Sequence, residues 1–259
     1  MREVNFIKNP NNPINRVKHV LIGSKYKELY NDFFEKYEII PIPVDINNDV
    51  DPRLSGHTDL SVFHAGYDQF VFARSIAGSL IRALSNNNLT VSASESGFQK
   101  NQYPYDCNLN ICYTDDYLIY NPKTADENIV KLLTNRTDKQ FRTIKVNQGY
   151  SKCSVCVVDS NSIITGDSGI ADQCIKNGMN VLLINNDWIV LNGFNHGFIG
   201  GCSFKLSKDK IAFTGLISNT NDENRIKNFL NERSIEMIYM SANAMNDVGG
   251  IIPITEYKV

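Results

Sequence analysis

The chain repeats itself. Lys152-Cys153-Ser154-Val155-Cys156-Val157-Val158 runs on through Ser162-Ile163-Ile164-Thr165-Gly166. The pattern returns as Cys202-Ser203 through Phe213-Thr214-Gly215, with Cys153 to Cys202 and Gly166 to Gly215 both steps of 49 residues. Each copy reads as two short strands around a polar turn, then a helical pattern, then a further apolar strand. A period of ~20–50 residues marks one supersecondary unit stacked on copies of itself, so it limits the architecture more than any composition does.

Three more units can be read upstream. The first has one opening strand at 19–23, helical spacing of Tyr26, Leu29, Phe33 and Phe34 behind Ser24 as a candidate N-cap, and a returning segment at 37–44. The second opens at 57–63, turns at 65–68, carries Ile76, Leu80, Ile81 and Leu84 on a helix, and returns at 89–92. The third opens at 105–111, with a helix over 124–133 and a return at 141–146. The fourth and fifth carry helices over 168–176 and 221–232, with returns at 181–184 and 235–240. A spare strand follows at 247–254 with no helix behind it. The first unit lacks one opening strand and the C-terminus supplies one. The pattern therefore predicts one domain over 1–259, with an Asn/Pro-rich arm at 1–17. Its fold class is an α/β five-bladed propeller with fivefold pseudo-symmetry, closed by the C-terminal strand. A doubly wound α/β sheet is the alternative, and hairpins between helices fit it poorly.

With 42% hydrophobic and 21% charged residues the chain can build a sizeable core. A net charge of −2 gives no basic face for nucleic acid. No apolar run reaches the ~18 residues of a membrane span, and Met1-Arg2-Glu3-Val4-Asn5 lacks a signal-peptide core. Six cysteines are too sparse for a disulfide scaffold, so reduced thiols and a cytoplasmic setting are expected.

In a ring of such units, equivalent strand starts converge on the axis. Those starts are His57/Asp59, Asp106/Asn108, Lys152/Cys153, Gly201/Cys202 and Asp247/Gly249. A cleft gathering a thiol, an imidazole and carboxylates has what nucleophilic attack on a cation needs. Lys152 beside Cys153 is placed to lower the thiol pKa if it turns toward the sulfur. Cys153-Ser154-Val155-Cys156 has metal spacing, but residues three apart on a strand face opposite sides, so no zinc site is expected. Cys107, Cys112, Cys174 and Cys202 read as packing, and His19 and His64 as structural. His196, in the loop Gly193-Phe194-Asn195-His196-Gly197, is a second-rank site candidate. Gly200-Gly201 and Gly249-Gly250 read as points of close backbone approach; no phosphate-loop pattern is present.

The segment His57-Thr58-Asp59-Leu60-Ser61-Val62-Phe63 resembles the His-x-Asp segment of the guanidine-modifying enzymes, or penteins, which include arginine and agmatine deiminases. The fivefold pattern covers roughly residues 18–255. The resemblance implies a five-bladed α/β propeller in which a Cys attacks the guanidinium carbon, a His moves protons and acids hold the cation. In the deiminases that Cys lies near the C-terminus, where this chain reads Gly249-Gly250-Ile251-Ile252-Pro253. Ring position fits instead. The family Cys lies two blades beyond the His, as Cys153 lies beyond His57, and an acid before Gly-Gly lies one blade before the His, as Asp247 does. No acid stands at Phe198-Ile199-Gly200-Gly201, which leaves one family carboxylate unmatched. The expectation is a cysteine-dependent hydrolase or transferase of a small guanidino or amidino compound, without cofactor or metal. Cys153 and His57 are the catalytic candidates; Asp59, Asp247, Asp106 and Lys152 are the substrate-binding ones. The alternative is a non-catalytic binding protein on the same ring, like the ribosome-associated factor that shares the fold.

Overall fold

The computed structural model describes residues 3–258, folded into five small sheets, each joined by at least one helix. The first sheet takes β1 (Val4–Phe6), β2 (Val17–Gly23), α1 (Asn31–Lys36) and β3 (Ile40–Val44). The second takes β4 (Val62–Gly66), β5 (Gln69–Phe72), α2 (Ala77–Asn86) and β6 (Ser92–Glu95). The third takes β7 (Cys112–Tyr113), β8 (Tyr117–Tyr120), α3 (Glu127–Thr134) and β9 (Arg142–Lys145). In the fourth are β10 (Val155–Val157), β11 (Ser162–Thr165), α4 (Ser168–Lys176) and β12 (Asn180–Leu183). The fifth holds β13 (Ser203–Ser207), β14 (Lys210–Phe213), α5 (Thr220–Asn231) and β15 (Glu236–Tyr239), and β16 (Ile252–Tyr257) ends the chain.

Units two to five share one topology: an antiparallel hairpin, a helical crossover, then a strand parallel to the second hairpin strand. The crossover needs a helix because parallel neighbours cannot be joined by a tight turn. The gapless copies share this topology but not its register: Val155 lies opposite Thr165, whereas Phe204, 49 residues on, lies opposite Ala212. In the first unit β16 takes the missing place. It pairs antiparallel with β2, with Ile252 opposite Leu21 and Pro253 opposite Val20. The N-terminal arm is not all loop: β1 covers the outer edge of β16, Val4 opposite Tyr257, which removes an open edge.

Neighbouring units share apolar cores. Leu21 and Ile42 pack with Phe63 and Val71 of the second unit and with Leu109 and Tyr113 of the third. Cys112 and Ile119 pack with Val155 and Ile163, and Ile164 with Ile211 and Phe213. Phe204 and Ala212 of the fifth unit return to Val20 and Ile22 of the first. The helices contribute stripes, as with Ile129 and Leu133 of α3 or Ile226 and Leu230 of α5. No helix among the described residues is long and apolar enough to cross a membrane.

Several sequence expectations shift. The third unit opens with the strand Cys112–Tyr113 and not at 105–111, and the last strand is Ile252–Tyr257 and not 247–254. The second unit returns at Ser92–Glu95, whose residues are all exposed, and not at 89–92. Leu89 is buried instead; its N–H closes the end of α2 on Leu84, after Asn88 turns through φ 59°. A further shift bears on the site. His57, Asp59 and Cys153 do not start strands: Thr58–Leu60 is a turn of 3-10 helix, and Cys153 sits in the turn before β10.

Truncation after Ile251 removes both ladders of β16 and the buried Ile252 and Ile254. Against a net stability of ~5–15 kcal/mol, that loss should prevent soluble folding. Limited proteolysis and circular dichroism of the truncated chain check this; an unchanged melting transition contradicts it.

Candidate active site

The site is assembled where the C-terminal segment crosses the turn at His57. The N–H of Asp59 donates to the carbonyl of Gly249 at 2.9 Å. Gly249 has φ 72°, and a Cβ there would lie 2.2 Å from the Cβ of His57. Only glycine allows this approach. The same segment carries Asp247, whose carboxylate accepts from the N–H of Phe198 at 2.8 Å and from that of Gly249 at 2.9 Å. Gly201 makes room for it, since a Cβ there would fall 2.0 Å from Asp247 Oδ1. The glycine pairs thus serve close packing, as their sequence context suggests.

Cys153 is brought to the same point from the fourth unit. Its thiol donates to Asp59 Oδ2 at 2.9 Å, and the side-chain N–H of Asn110 donates to its sulfur at 3.1 Å. Asn110 also accepts from the backbone N–H groups of Lys152 and Cys153, at 2.8 and 3.0 Å, and so fixes the turn that presents the sulfur. One donor atom from each of His57, Asp59 and Cys153 lies within 4.8 Å of the other two, and all three residues are buried. These atoms are also a set that could grip a metal ion. Two polar atoms here, His57 Nε2 and Asp59 Oδ1, are buried without a partner among the described residues, a state that buried polar groups rarely keep.

The electrostatics follow from burial. Asp59 is pushed up to about 7, chiefly by burial, with the Asp247 charge adding and the Cys153 hydrogen bond opposing. The Cys153 thiol is driven well above its ordinary value by burial and then by the Asp59 and Asp247 charges. Burial holds His57 below its ordinary value, against the pull of Asp247. A charge-poor pocket with two acids thus disfavours further negative charge and favours an incoming cation.

His57, Cys153 and Asp247 line a cavity of about 270 Å³, walled by leucines and aromatic rings. Asp59 stands behind the sulfur. Asp106 is buried one layer further out, where it accepts from the Tyr150 hydroxyl at 2.9 Å, and it is not among the cavity-lining residues. Lys152 diverges from its neighbour Cys153 and lines a separate small void with Asn11 and Lys205. The thiol is not lowered, contrary to what their adjacency suggests. His196 does line the cavity; its Nδ1 lies 3.0 Å from the carbonyl of Gly197. His64 and His19 hold backbone and strand contacts to the C-terminal segment, at Pro253 and Thr255.

Asn110 and the aromatic wall were not singled out by the sequence reading. Asn110 had a usable signal. Asp59, Asn110, Cys153 and Cys202 each stand one to three residues before the first strand of their unit. Tyr150, Phe194 and Phe198 come from irregular segments and left no periodic trace.

The fold is similar to that of solved amidinotransferases and an agmatine deiminase. An amidinotransferase from Microseira wollei in the saxitoxin biosynthetic pathway superposes with a TM-score of 0.58 at 8% identity, covering 95% of this chain and 96% of that one. The agmatine deiminase of C. jejuni gives 0.58 at 10% identity, covering 100% and 98%. The inosamine-phosphate amidinotransferase of Streptomyces griseus gives 0.56 at 8%, covering 100% and 98%. The chain belongs to DUF6873, a family of unknown function, which it matches over residues 21–252. No curated protein matches it in sequence.

Asp59→Asn should change stability in a pH-dependent way. A carboxyl near 7 in the fold and near 3.8 as a free side chain keeps its proton after the unfolded chain has lost it. Wild-type stability therefore falls as pH rises from about 4 to about 7, then levels. The variant lacks this decline, so its melting temperature gains on the wild type across that window. A constant difference between pH 4 and 8 contradicts the assignment.

Proposed function

We propose that this chain is a cysteine-dependent enzyme of the amidinohydrolase, deiminase or amidinotransferase kind, acting on a small guanidino or amidino compound. The observation that carries this reading is the Cys153–Asp59 contact within reach of His57, at the floor of a cavity that also presents Asp247. We further propose that the five sheets form one closed propeller domain with this cavity at its axis. The core shared between the fifth and first units supports that ring. The six unpaired, buried cysteines agree with a reducing, cytoplasmic setting.

In this reading the cation docks against Asp247 in front of the sulfur, with the Asp59 carboxyl behind the sulfur adding its charge. Planar N–H groups match carboxylates through charge-assisted bonds, which favours guanidinium over ammonium. Neutralising the two acids removes the charge that raises the thiol pKa, so Cys153 can release its proton to the neutral His57. The thiolate forms a bond to the guanidinium carbon. The bond from that carbon to the leaving nitrogen breaks, and the amine departs with the proton from His57. The resulting amidino thioether is resolved by water in a hydrolase, or by an acceptor amine in a transferase. Each route restores the thiol. Asn110 holds the sulfur in line, a positioning role.

The raised thiol pKa generates the test. Neutral iodoacetamide should label Cys153 slowly at pH 7, whereas 2-chloroacetamidine, which carries its own cation, should label it at least tenfold faster, with guanidinium chloride protecting. Cys153→Ser should abolish turnover with binding largely kept, and Asp247→Asn should weaken cation binding about tenfold or more. Peptide mass mapping and calorimetry read these outcomes. Equal labelling by both reagents, or labelling only after unfolding, would favour a silent binding ring.

A further inference from the structure

The walls of the cavity say what the rest of the ligand looks like. Beyond His57, Cys153 and Asp247 the cavity is bounded mainly by Leu54, Leu60, Leu191, Phe194, Phe198 and Tyr150, with Asn195 and His196 as its other polar residues. The rings form a collar: Tyr150 and Phe198 lie 6.3 Å apart, and His196 meets Phe198 edge-on at 5.7 Å. No Lys or Arg is among the lining residues, and Asp247 is the one carboxylate there.

The cation that stacks on the cavity wall at Phe194 is already committed. Arg53 donates from Nε and Nη2 to Asp51 at 3.0 and 2.6 Å, and from Nη1 to the carbonyl of Gly193 at 2.9 Å. Its guanidinium stacks on the Phe194 ring at 4.2 Å. All three of its nitrogens are occupied, and so is Asp51. A substrate with a carboxylate or ammonium tail would meet leucine and phenylalanine with only the uncharged Asn195 amide and the His196 ring as polar partners, which compensates the desolvation of a charge poorly. A tail with apolar surface gains from the same wall.

We infer, resting on the guanidine reading above, that the ligand is a monosubstituted guanidine with a compact, uncharged, apolar substituent. Phe194 and Phe198 set that preference. At about 270 Å³, below the ~300–1,000 Å³ of drug-sized sites, the cavity holds the cation with one ring or a short branched chain. Discrimination is by exclusion as much as attraction: with Asp247 on the guanidinium, no lysine, arginine or second carboxylate lines the site to pair the second charge of an amino-acid-like guanidine.

Calorimetric titration of the Cys153→Ser protein with benzylguanidine, guanidinium chloride, agmatine, arginine and benzylamine tests this. Benzylguanidine should bind tightest, at least tenfold ahead of agmatine and arginine. Phe194→Ala, and separately Phe198→Leu, should each cut the benzylguanidine-to-guanidinium affinity ratio at least fivefold, with melting curves confirming a folded protein. Agmatine or arginine binding as tightly as benzylguanidine overturns the apolar-tail inference and leaves the guanidine reading standing. Benzylamine matching benzylguanidine, or no guanidine binding to a folded protein, overturns the guanidine reading itself and the inference with it.

Discussion

The contact of Gly249 with His57 is the constraint on which the rest depends. The C-terminal segment reaches this point only because β16 is held between β1 and β2. It can lie flat against the turn only because residue 249 has no side chain and a left-handed backbone. Once it is there, Asp247 is placed across from Cys153, and the carbonyl of Gly249 fixes Asp59 through its N–H. The last unit of sequence completes the first unit of structure, and the site is built at that seam.

What the seam assembles is electrostatically unfinished. Two acids, a thiol and an imidazole are buried together, and no cation lines the cavity with them. The fold keeps this tolerable by raising Asp59 and the thiol and by lowering His57, so that little charge is buried at rest. The unpartnered atoms of His57 and Asp59 mark where polar capacity is held in reserve. In the proposed reaction, a positively charged ligand supplies what the protein itself leaves out, and in doing so converts a resting thiol into a nucleophile. Binding and activation become one event in this account.

How much was legible in the sequence follows from these same residues. The repeat was visible because hairpins and helices have periods, and the spare C-terminal strand was visible because the first unit lacked one. His57, Asp59, Cys153 and Asp247 could be brought together from unit positions read with the family resemblance. Their local geometry could not: they sit on turns, where spacing does not say which way a side chain points. That is why Lys152 and Asp106 were grouped with them, although one lines another void and the other is tied to Tyr150. Asn110 was passed over because an amide carries no charge signal, yet it makes more contacts to the Cys153 turn than any acid does. The aromatic collar arises from loops brought close only by the tertiary fold.

The central claim is that a buried acid pair waits for a cation and gives up a proton when it arrives. Titrating guanidinium chloride into the Cys153→Ser protein near pH 6.5, in buffers of different ionisation enthalpy, measures this directly. The account predicts saturable binding with net proton release to the buffer, because the cation lowers the pKa that burial has raised at Asp59. Release should disappear in the Asp59→Asn, Cys153→Ser double variant. Binding with no dependence on the buffer, or no binding at all, would contradict it.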